Sequence, residues 1–127
     1  MTPSLHHVAL GSRDVEALAS FYCTLLQTSE RQRHLDEAGG LRSIWLDLSG
    51  VLLMIELAPR GAERSRVEGV GLGAFLLAFR ASGKERQAFE ERAARLGAEV
   101  EHRSSFTSYL RDPDGNRIAV SEYESSL

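Results

Sequence analysis

The side chains able to do acid–base, nucleophilic or metal chemistry are four histidines, one cysteine and eighteen carboxylates. His6 and His7 sit in Leu5-His-His-Val-Ala-Leu10, a run that reads as a strand, so the two imidazoles fall on opposite faces. Glu56 stands in the strand-like stretch Met-Ile-Glu-Leu. Imidazole and carboxylate together suit zinc, nickel, manganese or iron. Taken singly, a histidine can be a hydrogen-bonded pocket residue and a glutamate a solvated strand end. His6 and His34, the latter near a strand end, have no matched partners. Cys23 cannot form an internal disulfide and lies in an apolar helical stretch, so it reads as an inert thiol with no assigned role.

Trp45 and Asp47 alternate with Ile44, Leu46 and Leu48, giving one mixed face and one apolar face. Phe75, Phe79, Phe106, Tyr109 and Tyr123 could line an apolar cavity or simply fill a core.

The elements that must position these groups follow from periodicity. Residues 5–10 predict a strand. Asp14 then N-caps a helix carrying Val15, Leu18, Tyr22, Leu25 and Leu26 on one face. Strands are expected at 29–35, 41–48 and 51–57, with Gly39-Gly40 and Ser49-Gly50 supplying the turns. Residues 58–73, rich in Gly, Arg and Glu, read as a linker. The order then repeats: a strand at 74–80, a helix opened by the Ser82-Gly-Lys-Glu capping box and stopped at Gly97, and strands at 98–103, 106–111 and 117–122. Asp112-Pro-Asp-Gly-Asn116 closes the last hairpin. The whole chain, 1–127, is thus expected to be one α+β domain of two tandem βαβββ modules, 5–57 and 74–123.

The composition, 43% hydrophobic and 26% charged with net charge −3, is that of an ordinary soluble protein without a basic footprint for nucleic acid. Fourteen of the fifteen basic residues are arginine, interspersed among the acids. No apolar run has the roughly 20 residues a membrane helix needs, and the first residues lack a signal-peptide pattern. The expectation is a cytoplasmic protein with no membrane or nucleic-acid partner.

Three segments carry a resemblance: Leu5-His-His-Val-Ala-Leu-Gly-Ser-Arg-Asp14 with Phe21-Tyr22; Leu77-Ala-Phe-Arg80 before a helix ending at Gly97; and Tyr109-Leu-Arg-Asp-Pro-Asp-Gly-Asn-Arg-Ile118. In this order they resemble the vicinal oxygen chelate superfamily, which includes glyoxalase I, fosfomycin-resistance proteins, methylmalonyl-CoA epimerase, extradiol dioxygenases and bleomycin-binding proteins. The resemblance implies half-open barrels, a small-molecule ligand, a homodimer and, in metal-dependent members, one divalent ion held by His and Glu from both modules.

His7 matches the first ligand position, seven residues before Asp14. Glu56 is the candidate second ligand, in a register that could put Met54 there instead. The second module offers Leu76, or Ala74, and Ala119 where ligands would stand, and none of these binds metal. The resemblance therefore implies either no cofactor or a weakly held Zn, Ni, Mn or Fe. A ligand pocket would draw on His7, Trp45, Asp47, Met54, Leu76, Tyr109 and Ala119.

Two functions follow as expectations. One is a protein that binds a small organic molecule in the barrel cleft, with a degenerate metal site. The other is a metal-dependent lyase, isomerase or dioxygenase using His7 and Glu56.

Overall fold

The computed structural model describes residues 1–63 and 66–123. The chain separates into two compact units, Met1–Glu63 and Arg64–Leu127. The linker expected over 58–73 includes residues 64 and 65, which lie outside the described residues.

The first unit contains β1 (His7–Ser12), α1 (Val15–Leu26), β2 (Glu30–Leu35), β3 (Leu41–Leu48) and β4 (Val51–Leu57). The second contains β5 (Leu77–Arg80), α2 (Gly83–Arg95), β6 (His102–Arg103), β7 (Thr107–Arg111) and β8 (Arg117–Ser121). Each unit forms one four-stranded sheet, ordered β1-β4-β3-β2 in the first and β5-β8-β7-β6 in the second. The first and last strands of each unit pair in parallel and the other pairs are antiparallel. The chain is therefore α+β, two βαβββ modules in tandem.

Local chemistry explains the element ends. The Asp14 carboxylate accepts the Ala17 amide at 3.0 Å, and α1 ends at Gln27 in a left-handed conformation. At the β3–β4 turn Ser49 and Gly50 have φ of 40° and 92°, the two positive values that a type I′ hairpin requires. Ser82 caps α2 by accepting the Glu85 amide, while its hydroxyl donates to the Glu85 carboxylate. In the last turn Asp112 accepts the amides of Asp114 and Asn116, both at 2.9 Å, and the Asn116 side-chain amide.

Three strands differ from their expected spans by more than one residue. β1 starts at His7, because His7 is the first residue with a pairing partner, and runs on through Gly11 and Ser12 opposite Glu56 and Leu57. β5 is limited to four residues because β8 offers partners only from Ile118 to Ser121. β6 shrinks to two residues: the Ala98 amide turns back to the Ala93 carbonyl to close α2, and only His102 and Arg103 reach β7.

The two cores are built differently. In the first unit α1 buries Leu18, Tyr22 and Leu25 completely, against Ile44 and Leu46 of β3 and Leu53 and Ile55 of β4, all at most 1% exposed. Each such side chain contributes about 1.5–3 kcal/mol. In the second unit α2 buries only Phe89 and Ala93, β7 and β8 add Leu110, Ile118 and Val120, and polar groups join the helix to the sheet. Ser108 of β7, fully buried, accepts from Arg86 Nε at 2.9 Å and donates to Glu90. Arg86 also donates to the carbonyls of Ser104 and Ser105 and to Glu122.

Hydrogen bonds from Arg103, with help from Ser108 and the nearby charge of Arg86, hold the Glu90 carboxyl below its ordinary range. A depressed carboxylate stabilises the fold above its unfolded pKa of about 4.3, and that contribution disappears as pH falls through the lower folded value. The unfolding midpoint in urea should therefore drop as pH is lowered below about 4.3, and Glu90→Gln should flatten that part of the profile. An unchanged slope in the variant would contradict this role.

Candidate functional site

Side chains alternate across each strand, so each sheet has one face under its helix and one face turned away from it. In the first unit the cross-strand register arranges the helix-free face in three rows. The first is His7, Leu52 and Asp47; the second is Ala9, Met54, Trp45 and Gln32; the third is Gly11, Glu56, Ser43 and His34. Trp45, Asp47, Met54 and His7 thus share one face.

His7 is exposed, and its Nδ1 lies 2.9 Å from His6 Nδ1; the two imidazoles do not fall on opposite faces as expected, because His6 precedes β1 and escapes the strand alternation. Asp47 pairs with Arg31 at 3.1 Å. His34 Nδ1 hydrogen-bonds Ser43 Oγ at 3.0 Å, and its ring lies 4.6 Å from that of Trp45. Sequence reading left His34 without a partner; the structure supplies two. The bulge between Glu30 and Gln32 sets this pairing, and nothing in the local sequence announces it.

Two groups on this face have chemistry to spare. Trp45 Nε1 is buried without a hydrogen-bond acceptor among the described residues. Glu56, half-buried, makes no hydrogen bond or ion pair with a described residue.

The face does not assemble the expected metal ligands. Leu52, not Met54 or Glu56, is the β4 residue opposite His7. Glu56 is four residues further along β4, roughly 13 Å at the usual rise per residue. Side chains stand roughly perpendicular to a sheet, so donors rooted that far apart do not converge on an ion with bonds of about 2 Å. Among the described residues no three His, Cys, Asp or Glu side chains cluster in a way that could hold a metal ion. His7 and Glu56 therefore do not form a pair of ligands for one ion on this face.

On the second unit's helix-free face Arg80, Ser121 and Thr107 form one row and Ala78, Ala119, Tyr109 and His102 the next, while Arg117 lies opposite Arg111. Ala119 is fully buried and Leu76 partly so. Leu76 precedes β5. Tyr109 stacks with His102 at 5.8 Å and lies under the Arg117 guanidinium at 4.5 Å. Phe106 and Tyr123, counted above as possible cavity aromatics, are exposed and pack edge-to-face on one another. Burial pushes the Cys23 thiol pKa up, consistent with an unreactive side chain.

A family profile described as "Glyoxalase-like domain" matches residues 7–121. The chain belongs to this glyoxalase-like family. It is thereby a member of the vicinal oxygen chelate superfamily. Among solved structures, the fosfomycin resistance protein FosX from Listeria monocytogenes, complexed with Mn(II) and sulfate ion, is 20% identical, covering 94% of this chain and 92% of its own, with a TM-score of 0.74. Lactoylglutathione lyase from Agrobacterium tumefaciens is 19% identical over 94% and 93%, with a TM-score of 0.66. A glyoxalase/dioxygenase from Nostoc punctiforme is 21% identical over 92% and 88%, with a TM-score of 0.74. At these identities the likeness of the glyoxalase-like chain to each is one of fold. No curated protein sequence matches the chain.

The His34–Ser43 contact gives a direct test of how this face is held. Ser43 is 1% exposed, so His34→Ala leaves its hydroxyl buried without that partner, at an expected cost of about 1–3 kcal/mol. In a Ser43→Ala background the same change should cost much less, and a urea double-mutant cycle reads the difference. Strict additivity would show the contact to be idle.

Proposed function

We propose that the protein binds a small planar organic molecule on the helix-free face of its first unit, without the superfamily's standard metal site. The observation that carries this reading is the indole Nε1 of Trp45, buried and lacking an acceptor. A buried donor left unsatisfied costs about 1–3 kcal/mol, so an acceptor on a ligand that reaches it gains that amount. Met54 and Leu52 beside it provide apolar contact, and Glu56 and His7 provide polar anchors on the same face.

Superfamily habit supports one subsidiary expectation, a homodimer. No helix among the described residues is long and apolar enough to cross a membrane. A net charge of −3 argues against nucleic acid as partner.

The second reading is a metal-dependent lyase, isomerase or dioxygenase. It draws on exposed His7 at the head of β1 and on the Mn(II) in the FosX structure. It is the weaker reading, because the register keeps Glu56 away from His7.

Trp45 is the only tryptophan, so intrinsic fluorescence reports on this face directly. Titration with a panel of planar aromatic compounds should produce a saturable change for at least one, in metal-free buffer. Trp45→Phe should weaken that compound about tenfold by calorimetry. Stoichiometric nickel, zinc or manganese binding tighter than about micromolar, abolished by His7→Ala, would overturn the reading in favour of the metalloenzyme.

A further inference from the structure

Two carboxylates stand on the helix-free face of the first unit. Asp47 is neutralised by Arg31 at 3.1 Å, whereas Glu56 meets no cation among the described residues. The ladder shows why. Glu56 has Gly11 on one side, which has no side chain, and Ser43 on the other, whose hydroxyl is engaged with His34. Met54, two residues before it on the same face of β4, is uncharged.

The unit's arginines are committed elsewhere. Arg33 pairs with Glu16 and Glu30, and Arg13 donates to the Ala62 carbonyl. Arg42 adjoins Ser43 in β3 and so falls on the opposite face of the sheet. Arg60, in the turn past β4, pairs with no described acid. Glu56 is half-buried, so its charge has given up part of its water without gaining a counter-charge. A positive group arriving beside it recovers that loss.

The carboxylate and the orphan indole donor lie close enough to meet one small molecule. Trp45 faces Met54 across the β3–β4 ladder and Ser43 faces Glu56, so Trp45 and Glu56 are diagonal neighbours on adjacent strands, rooted about 7–8 Å apart with no residue between them. Met54 is half-buried and offers an apolar surface beside both. On the other side of β4 the facing residues are Ala9 and Gly11, small and exposed, which leaves Met54 and Glu56 open from the β1 side. A side chain added at Gly11 would touch only Ala58, at 4.0 Å.

We propose that the ligand of this face is a planar organic cation, its positive nitrogen held by Glu56 while its ring lies over Met54 and a carbonyl group accepts from Trp45 Nε1. The assignment rests on the binding reading given above and adds the ligand's charge to it. Glu56 acts here as counter-charge to an organic group, with no metal ion.

The compounds para-(aminomethyl)benzamide and para-(hydroxymethyl)benzamide differ in the ammonium group alone near neutral pH, and both keep the carbonyl. Trp45 fluorescence of the full chain, in buffer containing EDTA, reads their binding. The ammonium compound should saturate and bind at least about tenfold more tightly than the hydroxymethyl compound. Added salt should weaken the ammonium compound alone. Glu56→Gln should abolish the preference, and Glu56→Asp, which keeps the charge, should retain it. Equal affinity for the two compounds, a preference that survives Glu56→Gln, or no saturation by the ammonium compound overturns the cation assignment. Failure of the whole aromatic panel, neutral members included, is the separate result that overturns the reading beneath it.

Discussion

The parallel ladder between β1 and β4 governs everything that the first unit can do. Pairing His7 with Leu52 brings Ala9 opposite Met54 and Gly11 opposite Glu56. The antiparallel β3–β4 ladder then brings Asp47, Trp45 and Ser43 into the same three rows. A shift of one residue would send every one of these side chains under α1 and bring Leu53 and Ile55, both fully buried, to the other face. The cost of exposing those two chains, with Ile44 and Leu46 opposite them, fixes the register. The register in turn separates His7 from Glu56 and sets Trp45 beside His34. The face's chemistry is a by-product of how the core beneath it packs.

The second unit solves the same packing problem with charge. Its helix brings little apolar surface, so Arg86, Glu90 and Ser108 join α2 to β7 in a part-buried network in which each group has a partner. All of the network's acids, Glu90 and Glu122 included, are engaged on the helix side. The other face keeps Arg80 and Arg117 with no described acid to neutralise them. In the two sheets, then, the spare chemistry is of opposite kinds: an orphan donor and a carboxylate on one, guanidinium groups on the other.

The architecture was legible in the sequence because turns and caps are local. Asp14, Ser82, Ser49-Gly50 and Asp112-Pro-Asp-Gly each do in the structure what their chemistry dictates, and the repeated element order followed from them. The alternation of Ile44 and Leu46 with Trp45 and Asp47 likewise marked the two faces of β3. Cross-strand partners were not legible. Counting from the turn glycine left Glu56 and Met54 as the residues beside His7, whereas Leu52 holds that place, because parallel strands joined through a helix and two further strands have no local marker of register. The bulge in β2 hid the His34–Ser43 contact for the same reason. Glu56 was legible as a chemically able side chain, but its significance depends on the cations it fails to meet, and that is a property of the folded chain.

The central claim is that the first unit recognises its ligand through Trp45 and without a metal at His7. A single tryptophan gives a single indole N–H resonance, so one spectrum of ¹⁵N-labelled protein tests both halves of the claim. The account predicts that a bound aromatic ligand shifts this resonance downfield as the Nε1 proton gains an acceptor, and that stoichiometric Mn(II) leaves it sharp. Paramagnetic broadening at one equivalent of Mn(II), abolished by His7→Ala, would contradict it.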